Sequence, residues 1–441
     1  MHSKSRFQNL IFGPSFSPTS AALAIMLTLL FLILLLLLMN LTALPAQAQS
    51  YLVLYTFTGG ADGAGPYAGL TRDRAGNLYG TAQGGGAYGN GKVFKLTPKG
   101  KGWVFSPLYS FRGGTDGASP SARVIFGPDG SLYGTTSKGG LQQCISGNQT
   151  CGTVFKLQPP PTACKTALCP WTETVLYRFT GGSDGYWPAN GALFFDQSGI
   201  LYGTATFGGG SLCSGNGCGT VFSLTPSQGG WTFKVIYSFM GGNDGSNPYS
   251  GVISDNAGNL YGTAQIGGSY GLGVVYQLTP SGSGWQEKVL WSFTGTRQDL
   301  WAQYPAGGLI FDGSGNLYGT TQGDANPDIH GGTVFELTPS NGAWTMAHVL
   351  AGIGYGGPVD SLTMDAAGNL YGADPVVMKG TASGGIFEVP ADLAGVTWLY
   401  VWSQGYAPAY GGPILDANGN LYGTNAGAGP NYDGVVWEIT P

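Results

Sequence analysis

The chain has 441 residues, of which 79 are Gly, 13% are aromatic and 9% are charged, with a formal net charge of −5. A disordered chain would be poor in aromatics and rich in charge, so disorder is excluded, and so much glycine argues against a helical protein. The mild acidity also argues against nucleic acid as a partner, because phosphate recognition needs basic stripes.

The N-terminus reads as a targeting segment. Lys4 and Arg6 precede an uncharged, Leu-rich stretch of 19 residues, Ala21 to Met39. Pro45 ends it, and Ala46-Gln47-Ala48 has the small-x-small form that signal peptidase accepts. The stretch exceeds the usual signal core of about 7–15 residues and reaches the length of a membrane span, about 17–25. Residues 1–48 are therefore assigned as a signal peptide cleaved after Ala48, with a retained N-terminal anchor as the alternative. In both cases residues 49–441 lie outside the cytoplasm, extracellular or at the cell surface, and meet a membrane only through that segment.

From Tyr51 onward the sequence repeats. Leu-Tyr-Gly occurs with its tyrosine at Tyr79, Tyr133, Tyr202, Tyr261, Tyr318, Tyr371 and Tyr422, at intervals of 51 to 69 residues. Each is followed by a Gly-x-Val-aromatic-x-Leu segment such as Gly91–Leu96 or Gly219–Leu224, with variants at Gly384–Val389 and Gly434–Ile439. An apolar segment ending in aromatics comes next, opened by Trp103, Trp171, Trp231, Trp285 or Trp344 in five copies.

The fourth copy shows the predicted elements most plainly. Strand a is Gly251–Ser254, Asp255–Asn259 is a tight turn, strand b is Leu260–Ala264 and strand c is Val274–Leu278. A Thr-Pro-x-x-Gly turn then leads to strand d, Trp285–Phe293. No segment after the leader reads as a helix. Seven four-strand meanders predict an all-β fold, a seven-bladed β-propeller of antiparallel blades. The repeats begin with a strand d, Tyr51–Phe57, and end with a strand c, Val435–Ile439. The N-terminal strand is therefore expected to complete the last blade and close the ring.

Six cysteines form three close pairs, Cys144/Cys151, Cys164/Cys169 and Cys213/Cys218. An even count in an exported chain reads as disulfides, and local pairing is the simplest of the connectivities. The spacing and the scarcity of histidine argue against a zinc site.

In such blades the long b–c and d–a loops share one face, where binding residues gather. The d–a loops carry Gly-Gly-x-Asp-Gly at Asp62, Asp116, Asp184 and Asp244. Calcium needs about six to eight converging oxygens, whereas these carboxylates sit on separate blades. They read as caps of their own turns, so no cofactor or metal is assigned, and calcium has no specific motif. Asp73, Asp196, Asp255, Asp312, Asp365 and Asp416 recur five residues before the Leu of Leu-Tyr-Gly and read as hairpin-turn residues, with Gly127 in their place in the second copy. The repeated tyrosines read as blade-to-blade packing.

The fifth copy departs from this pattern. Its d–a loop carries Arg297, Asp299 and Trp301, and its b–c loop carries Asp324, Asp328 and His330. Arg, Trp, carboxylates and a loop histidine could bind an anionic or sugar ligand, so these six residues are the candidate ligand-binding set.

The units resemble the GloVer tandem repeat, named for Gloeobacter and Verrucomicrobia, of exported bacterial proteins. The likeness rests on Leu54-Tyr55-Thr56-Phe57-Thr58-Gly59-Gly60-Ala61-Asp62-Gly63, Ala75-Gly76-Asn77-Leu78-Tyr79-Gly80-Thr81 and Gly152-Thr153-Val154-Phe155-Lys156-Leu157. It implies an extracellular repeat protein, names no reaction and supplies no catalytic residues. That family is commonly tied to the surface by a C-terminal anchor. This sequence ends at Thr440-Pro441 without one, so free secretion or the N-terminal segment is expected to serve instead.

Two functional readings follow, of which the first is preferred. One is a monomeric, non-catalytic binding or scaffold module for a glycan or a cell-surface protein. The other is a polysaccharide lyase or hydrolase with its site on the long-loop face. Propellers host both, and no nucleophile or metal-protease motif is present to favour the enzyme.

Overall fold

A computed structural model describes residue 26 and residues 50–141, 144, 151–161, 170–188, 190–210, 212–324, 331–354, 356–377, 384–402 and 410–440. Residues 49–441 form one compact unit. Within it the strands sort into seven antiparallel sheets, each in the order a-b-c-d. In the fourth blade these are Ile253–Ser254, Leu260–Ala264, Val274–Ser281 and Gly284–Ser292. The N-terminal strand Ser50–Thr56 pairs with Val435–Thr440, from Ser50↔Thr440 to Thr56↔Val435. It thus supplies strand d of the seventh blade, as expected.

The Leu-Tyr-Gly segment, followed by Thr in six blades and by Ala373 in the sixth blade, forms strand b and is buried in every blade. The four residues have four jobs. The leucine fills the core: Leu78, Leu132 and Leu201 are fully buried. The tyrosine packs on the next blade. Tyr79 meets Phe126 and Trp171 edge-on, with ring centroids 5.1 and 6.4 Å away. Tyr422 meets Trp103 in the same way and closes the ring from blade 7 to blade 1. The glycine lies opposite the aromatic of strand c. A Cβ at Gly80 would sit 2.6 Å from the Phe94 ring and 2.9 Å from Leu70, so no larger residue fits. The threonine tethers the neighbouring blade, as Thr204 Oγ1 donates to Ser250 O and Thr424 Oγ1 to Ala68 O, both at 2.8 Å.

The turn aspartates anchor the a–b hairpins. Asp73 accepts from the amides of Ala75 and Asn77, from the Asn77 side chain and from the Tyr79 hydroxyl. Burial alone would raise this carboxyl, but those hydrogen bonds outweigh it and hold it below its ordinary value. Where the second copy has Gly127, Asp129 takes over, accepting from Ser131, Tyr133 and Lys156. The Gly-Gly-x-Asp-Gly carboxylates cap their own loops. Asp184 accepts from Tyr177, from the amide and hydroxyl of Thr180, and from the Gly182 amide.

Three details differ from the sequence reading. The Thr-Pro pair does not make the c–d turn. Strand c runs on through Pro280 to Ser281, which pairs with Gly284 and leaves Gly282-Ser283 as the turn. The closing pair of such a hairpin exchanges both bonds, so the Pro280 nitrogen faces the b side, where pairing has already ended at Leu260↔Leu278. Strand a is only two residues long in each blade, because its preceding residues abut the neighbouring blade instead of pairing with strand b. Blade 5 gains an extra strand, Ala302–Pro305, paired with Leu317–Asp324, and one turn of 3-10 helix at Arg297–Asp299.

Cys144–Cys151 and Cys213–Cys218 are disulfide-bonded, with Cα atoms 5.6 and 5.3 Å apart. Cys164 and Cys169 lie outside the described residues, as does the apolar stretch Ala21–Met39 apart from Met26.

Candidate functional site at the axial mouth

The segments that lead from the d–a loops into strand a meet around the ring axis. They abut backbone to backbone: a Cβ at Gly191 would lie 2.5 Å from Gly251 N, and one at Gly411 2.6 Å from Gly69 N. The strand b threonines Thr81, Thr204, Thr263, Thr320 and Thr424 each tether the segment of the neighbouring blade, which makes the mouth a rigid frame.

The frame encloses a cavity of about 280 Å³, lined by Tyr67, Gln83, Ser121, Arg123, Trp187, Asn190, Tyr249, Asp360 and Tyr410 among others. This volume lies at the small end of ligand pockets, about 300–1,000 Å³. Tyr67 and Tyr410 lean together with ring centroids 5.2 Å apart and planes 32° from parallel. Trp187 is held at a positive φ of 60° and is 48% exposed. Burial raises the Tyr249 phenol above its ordinary value, with a hydrogen bond to Asn190 pulling the other way, so it stays protonated at neutral pH. A second cavity of about 130 Å³, lined by residues at and just before strand a of blades 3 to 6, such as Leu193, Val252 and Leu309, offers mainly apolar side chains.

Arg123 reaches across this mouth. It starts on blade 2, passes over the bare Cα of Gly69 on blade 1, donates to Gly412 O of blade 7 at 3.0 Å, and ends 3.7 Å from Asp360 of blade 6. Asp360 is already held by the amides of Ser361 and Gly412, each at 2.7 Å. Both of its oxygens are thus engaged.

The blade 5 residues singled out from the sequence have different settings. Asp299 is fully buried and accepts from the Thr294 amide at 2.6 Å, the Thr294 hydroxyl at 2.9 Å and the Thr296 amide at 3.3 Å. It caps its own loop as Asp184 does, one residue later in the chain. Arg297 opens the 3-10 turn, and Trp301 follows it with φ of 62°. Asp324 ends strand b, its backbone paired with Ala302. Asp328 and His330 lie outside the described residues.

The mouth residues also carry a signal in the sequence. Tyr67, Ser121, Asn190, Tyr249, Ala306, Val359 and Tyr410 each stand twelve residues before a Leu-Tyr-Gly tyrosine. The position varies from copy to copy while its neighbours repeat. Variation within a repeated frame marks it as much as the irregular loops mark the fifth copy. No group of three or more His, Cys, Asp or Glu able to hold a metal occurs among the described residues.

Fold and mouth together define a seven-bladed β-propeller with a preformed axial cavity. The Gloeobacter/Verrucomicrobia repeat model matches residues 41–216 and 212–437, and the chain belongs to that repeat family. No curated protein matches the chain. Among solved structures, the polysaccharide lyase Uly1 is 12% identical over 90% of this chain and 94% of that one, with a TM-score of 0.49. A protein of unknown function from Dyadobacter fermentans is 12% identical over 89% and 98%, with a TM-score of 0.43. Trypanosoma rangeli sialidase is 11% identical over 89% and 59%, with a TM-score of 0.39. None of these likenesses bears on activity.

Proposed function

We propose that this protein is a non-catalytic carbohydrate-binding propeller of the cell exterior, taking sugar residues at the axial mouth. The observation that supports this most is the lining of the mouth cavity: Tyr67, Trp187, Tyr249 and Tyr410 beside Gln83, Asn190 and Ser121. A pyranose has an apolar face rimmed by hydroxyls. Aromatic rings bury the face, and amides and hydroxyls meet the rim. The rigid frame spares the ordering cost of binding.

Binding is favoured over hydrolysis or elimination by the state of Asp360. It is the only carboxylate among the described lining residues, and its oxygens are taken up by Ser361, Gly412 and Arg123. General acid–base work needs a group free to take and return a proton. The leader and the two formed disulfides support export.

The test is a glycan array followed by calorimetry on the hits. Trp187→Ala with Tyr249→Ala should abolish capture and leave the melting temperature within a few degrees of wild type. The blade 5 loops remain the competing site. If replacing Arg297, Trp301 and His330 by Ala abolishes capture while the mouth variants retain it, the site moves there. Release of new reducing ends or unsaturated products from any hit would replace binding by catalysis.

A further inference from the structure

At two positions of the repeat on the long-loop face, tyrosine occurs on three blades only. Tyr67, Tyr249 and Tyr410 line the mouth and belong to blades 1, 4 and 7. Nine or ten residues after the Leu-Tyr-Gly tyrosine of those same blades come Tyr88, Tyr270 and Tyr432, in the b–c loops. They are 56, 59 and 61% exposed. None of the other four copies has a tyrosine at either position.

Ring order gives this pattern a direction. Blades 7 and 1 adjoin at the closure seam, and in a ring of seven blade 4 stands opposite that seam. The six tyrosines therefore lie along one diameter of the face. Tyr88 and Tyr432 are at one end, Tyr67 and Tyr410 are at the near side of the mouth, Tyr249 is at its far side and Tyr270 is at the other end. The outer rings are presented by turns closed between Gly89 N and Gly86 O, Gly271 N and Gly268 O, and Tyr432 N and Gly429 O, each 3.2 Å. Arg112 lies over the Tyr88 ring, its guanidinium carbon 5.8 Å from the centroid, and the tyrosine stays exposed beside it.

We infer that this diameter is a binding track for a linear, uncharged polysaccharide, which lies across the face and passes over the mouth. The inference rests on the carbohydrate reading of the mouth and names its ligand class. Large exposed aromatics in a directed row mark an interaction surface. Amphipathic rings offer contact area at little entropic cost, and repeating sugars present an apolar face at regular steps. Among the described lining residues the single cation and single carboxylate, Arg123 and Asp360, offset each other, which suits an uncharged chain. Added stacking sites on one rigid body also raise avidity with chain length.

The full chain is to be tested for retention on insoluble cellulose, chitin and β-1,3-glucan, with alginate as the charged control. Affinities for the disaccharide and octasaccharide of the retained polymer are then measured. The track predicts that the octasaccharide binds at least about tenfold more tightly than the disaccharide. Tyr88→Ala, Tyr270→Ala and Tyr432→Ala should each weaken octasaccharide binding roughly three- to tenfold and leave the disaccharide unaffected. Tyr304→Ala, exposed on blade 5, should change neither. Loss of disaccharide binding in Tyr249→Ala reports on the mouth reading separately. Outer variants that hold the octasaccharide as tightly as wild type would overturn the track and leave the mouth standing. Retention on none of the neutral polymers, or preference for alginate, would also overturn it.

Discussion

Arg123 and Asp360 face each other at 3.7 Å across the ring axis, although they belong to blades 2 and 6. The guanidinium reaches that far because Gly69 offers no side chain beneath it and Gly412 offers a carbonyl beyond it. A Cβ at Gly69 would overlap the Arg123 guanidinium and lie 2.8 Å from Gly412 O. Gly69→Ala should therefore destabilise the fold by about 1–3 kcal/mol, as overpacking does. Arg123→Ala alone should cost under about 1 kcal/mol, since the pair is partly solvated. The double variant should recover part of the Gly69→Ala loss, leaving the Gly412 contact. Thermal melting of the three variants checks this, and no recovery would mean that Arg123 does not lie over Gly69.

Three carboxyl groups should make the fold less stable as pH rises towards neutrality. Burial pushes the Asp374 carboxyl up to about 7, against the pull of amide hydrogen bonds from Val376, Gly356 and Gly357. Burial also raises Glu173 and Glu287 to about 7, with Asp116 and Asp244 adding like charge. An acid whose folded value exceeds its unfolded value holds its proton more tightly when folded. Its contribution is intact below the unfolded value, about 4, and is lost as pH climbs to about 7. The loss is on the order of 3 kcal/mol for Asp374 and, allowing for solvent screening, on the order of 1 kcal/mol for each glutamate. Asp374→Asn, the residue blade 7 already uses as Asn425, should remove the larger part of the fall in melting temperature between pH 5 and 8 and leave the smaller part due to Glu173 and Glu287. A variant as pH-dependent as wild type would refute the assignment.

Asp299 should behave as a loop cap. Its carboxylate accepts three hydrogen bonds from Thr294 and Thr296 while fully buried. Asp299→Ala leaves those donors without their acceptor and should cost about 2–3 kcal/mol, close to the cost of Asp184→Ala. Denaturant unfolding of both variants side by side checks it. A stable Asp299→Ala protein with impaired capture would instead give Asp299 a ligand-binding role.

The Cys213–Cys218 bridge should stiffen the mouth as well as its own loop. It packs on Gly241, where a Cβ would lie 2.9 Å from Cys218 Sγ, in the d–a loop that leads to Tyr249. Replacing both cysteines by Ser should cost about 2 kcal/mol. Hydrogen exchange should rise at both segments. Protection unchanged around Gly241 would confine the bridge's effect to its own loop.

Periodicity alone makes the architecture legible. Seven Leu-Tyr-Gly copies, the matching strand c phrases and the orphan strands at the two ends predicted the blades and their closure, because a strand whose two faces are apolar must be covered on both sides. The same logic gave Tyr79 and Tyr422 as blade-to-blade packing, which Phe126, Trp171 and Trp103 now show. Asp129 was not legible as a substitute for the missing turn aspartate, since a carboxylate two residues away reaches the same tyrosine only once the hairpin is folded.

The sequence by itself determined the repeat, its strand order and the residues that bury each blade, since these depend on neighbours within or next to one copy. Only the tertiary structure decided what meets at the axis. Arg123 and Asp360 are 237 residues apart in the chain, and the tyrosines of blades 1, 4 and 7 align only when the ring is shut. Closure is a long-range constraint, and contacts across the axis carry no local periodic signal from which to read them.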